Sequence, residues 1–519
     1  MGTQVATILG QTPDNGLTVD LTHPSLTEGV KCGIFISNAD EGGGSNTALS
    51  SIGIWAGSNQ LCQSTYGQSG APRSTVLAGH ADRNDCVAFR ATTSDGAIER
   101  VRAFVDGPIP GGVRIGGAVP PGIERNISIG AMLFAGDDVR AQVHQVTVSR
   151  VVGAITEIDP AIDGLSVDMI VALSSTDQFD ARDHDGFAHQ TVSFHTFRNG
   201  IKQSSVSQSI AFRSSNNSNT TADGGIANGL VVANGNHVQS DPSRHPELGA
   251  AWEFAIDAVN GMIRIETIRV ASENEDPEIG LLVAHLAGDA AVAGLMTTPA
   301  APETENVNFS PSINSNLKGL LLQLNNVNEA GVDLTDDPMA GHYGTAMISS
   351  APNSDQFAFQ TSWESGADPT NALTTQGDFL DVRLDDGSPA ITVGSAEIVE
   401  TNLSVDFTAT QTFQFPFLAI TDPPSEPLVT LEDVGAALIN VQATLANVVT
   451  CQNQMKSTLQ ALSIATSTLA GNNATELGIL QTEVSKIQRS ANPVVAGAPV
   501  TKQLLDGGTV TDTISERVQ

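Results

Sequence analysis

Two hydrophobic rhythms divide this chain. Up to Phe417, short apolar runs rich in Val, Ile, Leu and Phe are separated by clusters of Gly, Asn, Asp and Ser. That punctuation predicts β-strands joined by turns. Val30 to Ile36, Met169 to Leu173 and Leu320 to Leu324 are runs of this kind. Met262 to Val270 alternates apolar and polar residues, the pattern of a strand with one wet face. Asp95-Gly96, Asn199-Gly200, Asn260-Gly261 and Asp386-Gly387 suit hairpin turns, because these residues tolerate positive φ.

The second rhythm begins after Leu428. No aromatic follows Phe417, and no proline lies between Leu428 and Asn492. Thr430 and Asp433 supply a capping pair. One heptad position then takes Leu431, Leu438, Leu445, Gln452, Leu459 and Thr466. The other takes Val434, Val441, Val448, Met455, Leu462 and Leu469. Spacings that alternate three and four predict a left-handed coiled coil. Leu431 to Leu469 would span about 57 Å. Gly471-Asn472-Asn473 interrupts the pattern, and Leu477, Leu480, Val484 and Ile487 resume it four residues late, as a stutter or a short break. Flanking positions such as Ala437, Thr444, Val449 and Thr458 are small or apolar, which favours three strands over two. Gln452 and Thr466 would then fix register. The competing reading is a helix packed on its own β domains.

Within the β part, three blocks share an order of features. Each opens with an apolar strand, near 30–37, 167–174 and 317–324. Each continues through a longer strand pair, at Ser51 to Ala56, Gln190 to His195 and Gly344 to Ser349. Each closes with a strand, at Ile129 to Phe134, Ile279 to Ala284 and Phe413 to Leu418. The expected organisation is mainly β: three tandem β-sandwich-like domains over 1–157, 158–302 and 303–426, then an α-helical coiled coil over 427–492 and a tail over 493–519. The linkers are expected near 158–164 and 297–303. One large irregular β domain is the alternative.

Charge narrows the function. The 519 residues carry 24 Lys and Arg against 57 Asp and Glu, a formal net charge of −33. Such a surface repels phosphate backbones and anionic membranes, so nucleic acid and membrane insertion are not expected as partners. No run of 18 apolar residues exists, and Met1 to Gln11 lacks the cationic flank of a signal peptide. Cys32, Cys62, Cys86 and Cys451 form no C-x-x-C pair and are expected as small buried thiols.

Nucleotide, zinc-protease and hydrolase signatures are absent from the sequence. The nearest candidate is Asp180-Ala181-Arg182-Asp183-His184-Asp185-Gly186, whose alternating carboxylates suggest a calcium loop. Arg182 sits inside it and no closing Glu follows, so a solvated turn is expected. His189 and His195 share a strand face, but zinc would need two more ligands. A half-exposed strand surface is expected there. Asp333, Asp336 and Asp337 near His342 fit turn chemistry. Trp55, Trp252 and Trp363, roughly one per block, read as core residues. No catalytic, cofactor or metal residue is assigned.

Tandem acidic β domains that open on a strand such as Gly33-Ile34-Phe35-Ile36 and close on Ala135-Gly136-Asp137 or Ala287-Gly288-Asp289 resemble virion structural proteins of tailed bacteriophages. The Ala-, Thr-, Ser-, Asn- and Gln-rich coil is similar to their fibre coils. The resemblance implies a non-enzymatic homotrimeric fibre or spike, assembled in the host cytoplasm and exposed on the tail or head of the virion. Its partners would be other tail, baseplate or capsid proteins and a host-surface glycan or protein. The oligomerising residues would be Leu431, Val434, Leu438, Val441, Leu445, Val448, Gln452, Met455, Leu459 and Leu462. A decoration or baseplate component without receptor binding is one alternative, and a glycan-degrading fibre enzyme another.

Overall fold

The computed structural model of the protein describes residues 2–11, 16–38, 47–70, 73–82, 84–92, 98–118, 128–174, 183–185, 187–215, 218–228, 231–234, 248–257, 259–269, 278–299, 303–308, 316–325, 341–363, 370–376, 380–383, 389–393, 396–400, 402–407, 412–423, 431–491, 499–503 and 509–513. Residues 1–425 form one compact unit and residues 426–519 another.

The first unit is built of strands in three successive sets. The first set is β1 (Gln4–Gln11), β2 (Thr18–Thr22), β3 (Val30–Asn38), β4 (Thr47–Ala56), β5 (Asn59–Gly70), β6 (Arg73–Asp82), β7 (Val87–Thr92), β8 (Ile98–Ile109), β9 (Gly112–Ala118) and β10 (Ser128–Ala135). The second is β11 (Val139–Thr147), β12 (Ile155–Ile158), β13 (Met169–Ser174), β14 (Asp183–Asp185), β15 (Phe187–Arg198), β16 (Ile201–Ser215), β17 (Ser218–Asn228), β18 (Val231–Asn234), β19 (Leu248–Ile256), β20 (Ile263–Arg269) and β21 (Glu278–Leu286). The third is β22 (Ala290–Thr297), β23 (Glu303–Asn308), β24 (Leu317–Asn325), β25 (Gly341–Ser349), β26 (Phe357–Trp363), β27 (Thr370–Gln376), β28 (Leu380–Arg383), β29 (Pro389–Val393), β30 (Ala396–Val399), β31 (Asn402–Phe407) and β32 (Gln414–Thr421).

One strand order recurs in all three sets. A six-stranded layer runs β1-β10-β3-β4-β5-β6, then β11-β21-β13-β15-β16-β17, then β22-β32-β24-β25-β26-β27. A smaller layer accompanies each: β2-β9-β8-β7, β12-β20-β19-β18 and β23-β31-β30. β14 pairs with β6, and β15 meets β6 at Phe187 and Ala78, which joins the first two large layers. The strands that open and close each block are neighbours: Ile34 pairs with Met132, Val171 with Leu282 and Leu321 with Leu418.

The central strands lack a polar face because both their faces are buried. Ile34, Met132, Phe134, Val171, Leu282, Leu321 and Leu418 belong to one hydrophobic cluster shared by all three sets. Their chain neighbours turn the other way, into a separate cluster for each set. Phe35 and Leu133 enter the first, Ile170, Leu281 and Val283 the second, and Leu320, Leu322 and Ala419 the third.

The sets close a ring around the shared cluster. The first strand of each set lies against the fourth strand of the preceding six-stranded layer: β11 against β4, β22 against β15, and β1 against β25. Two glycines allow the close approach. A Cβ on Gly130 would sit 2.2 Å from Phe357, and one on Gly319 would sit 2.7 Å from Val5, each across the seam between the third and first sets.

The change from set to set falls at the closing turns, not at the expected linkers. Residues 158–164 join β12 to β13, and residues 297–303 join β22 to β23, both inside a set. Gly136 (φ 150°) and Gly288 (φ 92°) bend the chain directly into the first strand of the next set. That strand pairs outside the block it was assigned to by sequence, as β22 does with β32.

Among its described residues, the second unit contains one helix, α1 (Leu431–Ala491), and a hairpin of β33 (Pro499–Gln503) with β34 (Thr509–Thr513). The stretch expected as a tail therefore includes paired strands. α1 passes through Gly471-Asn472-Asn473 without interruption, so the four-residue shift lies inside a continuous helix.

Candidate assembly surfaces

All ten residues expected to mediate oligomerisation lie on α1. The side chains of Leu431, Val434, Leu438 and Val441 fall outside the described residues. Leu445, Val448, Gln452, Met455, Leu459 and Leu462 are exposed, Leu459 at 66%. Leu469, Leu477, Leu480, Val484 and Ile487 extend the exposed stripe beyond the shift. From Val434 to Thr475 the only charged side chain is Lys456. Several hydroxyls fold back onto the carbonyl four residues earlier: Thr458 to Gln454, Thr466 to Leu462 and Thr468 to Ile464, at 2.8–2.9 Å. A hydroxyl satisfied in this way turns its methyl outward. Thr466 is thus satisfied within its own helix, whereas the Gln452 amide is exposed. Cys451 is exposed beside it, unlike the buried Cys32, Cys62 and Cys86.

The seams of the ring are the second surface, and sequence reasoning missed them. Gln63 lies opposite Ile52, and Gln208 holds the same place opposite Val192. Each is buried and reaches into the next set. Gln63 Nε2 donates to the Thr191 carbonyl at 2.7 Å, and Gln208 Nε2 donates to the Leu324 carbonyl at 3.1 Å. In the third set Phe359 fills that place, opposite Thr345, with Phe357 edge-on to it at 5.6 Å. The seam from third to first set is bridged by hydrogen bonds of backbone and side-chain groups. Thr7 N donates to Ser349 Oγ at 3.1 Å, Leu9 N donates to Asp355 Oδ2 at 2.7 Å, and Asp355 N donates to the Thr7 carbonyl at 3.1 Å. Gln208→Leu is expected to cost about 1–3 kcal/mol, because a buried hydrogen bond is lost. The check is a lower urea midpoint at unchanged slope; an unchanged midpoint would remove the seam bond from the account.

Asp183, His184 and Asp185 pair with His80, Gly79 and Ala78 as strand β14, so this part of the expected solvated turn is a strand. Asp180 to Arg182, Gly186, Asp333, Asp336 and Asp337 lie outside the described residues, as do the side chains of His189 and His342. Among the described residues no three His, Cys, Asp or Glu side chains are grouped to hold a metal ion. Trp55 and Trp252 are buried core residues, and the Trp363 side chain lies outside the described ones.

His195 is fully buried, not half-exposed as expected. Its ring stacks on Phe254 at 4.5 Å, and Nδ1 meets Ser205 Oγ at 2.7 Å. Burial pushes its pKa down to about 3, and the charge of Lys202 adds to this. The folded state therefore keeps His195 neutral while the unfolded chain binds a proton below about pH 6.5. Stability is lost as pH falls from there toward 3. His195→Phe is expected to flatten the pH dependence of the melting temperature in that window; an equally steep dependence would assign it to other groups.

No protein-family model matches this chain, and no curated protein matches it significantly.

Proposed function

We propose that the chain is a structural component of a tailed-phage particle, a homotrimer that forms a fibre or spike on the exterior of the tail or head. The observation that carries this reading is the exposed apolar stripe of α1, which continues past residue 469 on a helix whose stretch from Val434 to Thr475 has a single charged side chain, Lys456. A single helix with that face in water gains nothing from it, whereas three parallel copies bury it. Each chain contributes three tandem two-layer β-sandwich units and one strand of the coil. The ring of sets supplies a rigid body, and the coil joins three of them into one multivalent object. The phage assignment rests on the resemblance of the opening strands, closing turns and coil composition, together with the acidic surface. Attachment to a host glycan or protein is the function we assign to it, with other virion proteins as its anchoring partners and no catalytic step. Analytical ultracentrifugation of the intact chain at micromolar concentration should give the mass of three chains, and a monomer would end the trimer reading. Immunogold labelling of particles should then place it on the exterior; absence from the particle would end the virion reading.

A further inference from the structure

We propose that Lys318 and Asp289 join in an intramolecular isopeptide bond, with Asp422 as the proton carrier. The three residues meet where the third set begins and ends. Asp289 stands at the closing turn before β22, Lys318 on β24, and Asp422 just after β32, the strand that lies between the other two. Lys318 Nζ lies 2.7 Å from Asp289 Oδ2 and 2.9 Å from Asp422 Oδ1. The amine is thus in contact with the carboxyl group it would attack and with a second one that can take its proton. Reacting groups held this close need little further ordering.

The Asp289 side chain is 1% exposed. Its Oδ2 also accepts from Thr3 N at 2.6 Å, and its Oδ1 has no hydrogen-bond partner. Burial raises the Asp289 pKa, against the lowering effect of Lys318. A buried, protonated carboxyl is the electrophilic form, and burial favours it over the carboxylate. Asp422 is half-buried and also accepts from Asn316 Nδ2 at 2.8 Å, which orients it.

The step balances without a further reactant. Asp422 takes a proton from the Lys318 ammonium, and the freed Nζ lone pair attacks Asp289 Cγ. The tetrahedral carbon expels its hydroxyl, which leaves as water with the proton that Asp422 returns. Asp422 then takes the second proton from the nitrogen, so that the two protons lost by the ammonium end on the water and on Asp422. One C–N bond forms, one C–O bond breaks, and no electrons are transferred. The product is an amide that ties the start of β22 to β24 across β32, and it no longer depends on charge or pH.

The test needs no variant at the outset. The intact full-length chain, denatured and weighed by mass spectrometry, should be lighter than its sequence by one water. Proteolysis should yield a branched peptide that carries both Asp289 and Lys318, with no tryptic cleavage after Lys318. A chain at full sequence mass overturns the proposal. So does a water loss that maps to an Asp-Gly pair as a succinimide, which hydroxylamine opens and an amide survives. Asp422→Asn should retain the fold, read by circular dichroism, and return to full mass; full cross-linking in that variant overturns the role of Asp422.

Discussion

Deleting residues 428–492 is expected to convert a three-chain assembly into single chains whose β unit still melts as it did before. Two features support this. The apolar stripe that can join chains lies on α1 and disappears with it. The β unit already buries its large layers against one another, because the cluster at its centre draws on all three sets of the same chain. A coil-only interface predicts an all-or-none loss of association, since three helices lose their seams together. Sedimentation gives the mass, and circular dichroism gives the melting of the β unit. Trimers that persist would place the interface on the strands, and a β unit that unfolds would make α1 part of its support. Leu459→Asp with Leu462→Asp is the finer version, because charges at two successive heptad positions leave the helix in place.

Phe134→Ala should destabilise the whole β unit by about 3–5 kcal/mol, the range for removing a large aromatic from a closed core. Phe134 has no exposed surface and stands among residues from all three sets. Against a total of roughly 5–15 kcal/mol for a typical folded unit, that loss is large. The more telling expectation is its distribution. A private core would lose one set, whereas a shared core transmits the loss to all three. Hydrogen exchange on β13 and β24, which do not pair with the strand that carries Phe134, should therefore accelerate together with exchange on β3. Acceleration confined to the first set would make the sets independent. Phe254→Ala, in the private cluster of the second set, provides the contrast.

Much of the strand and helix content was legible in the sequence because its signals are local. The heptad of α1 stands out since a period near 3.5 survives any environment, and the openers at Ile34, Val171 and Leu321 are apolar runs bounded by turn residues. The closure of the ring was not legible. A strand buried on both faces has no alternation to read, so nothing in Val171 or Leu321 says which neighbour faces which core. The boundaries were misplaced for a related reason. β11 and β22 each follow a three-residue turn, while the polar stretches that resemble linkers join strands inside a set. Gln63 and Gln208 were invisible as seam residues because their strands carry other glutamines among Ser and Thr, and nothing in that pattern marks which one is buried. His195 was misjudged because its even spacing from His189 identifies a face, and only the packing of Phe254 shows that the face is dry.

The three sets of the ring are alike in strand order but not in residues, as Gln63, Gln208 and Phe359 in one equivalent place illustrate. In a ring made from three identical chains, every change to an outer face is made three times at once. Here a change appears on one face and leaves the other two as they were. Such a molecule can specialise its sides separately, one for an anchor and another for a target, while keeping the geometry that all three share.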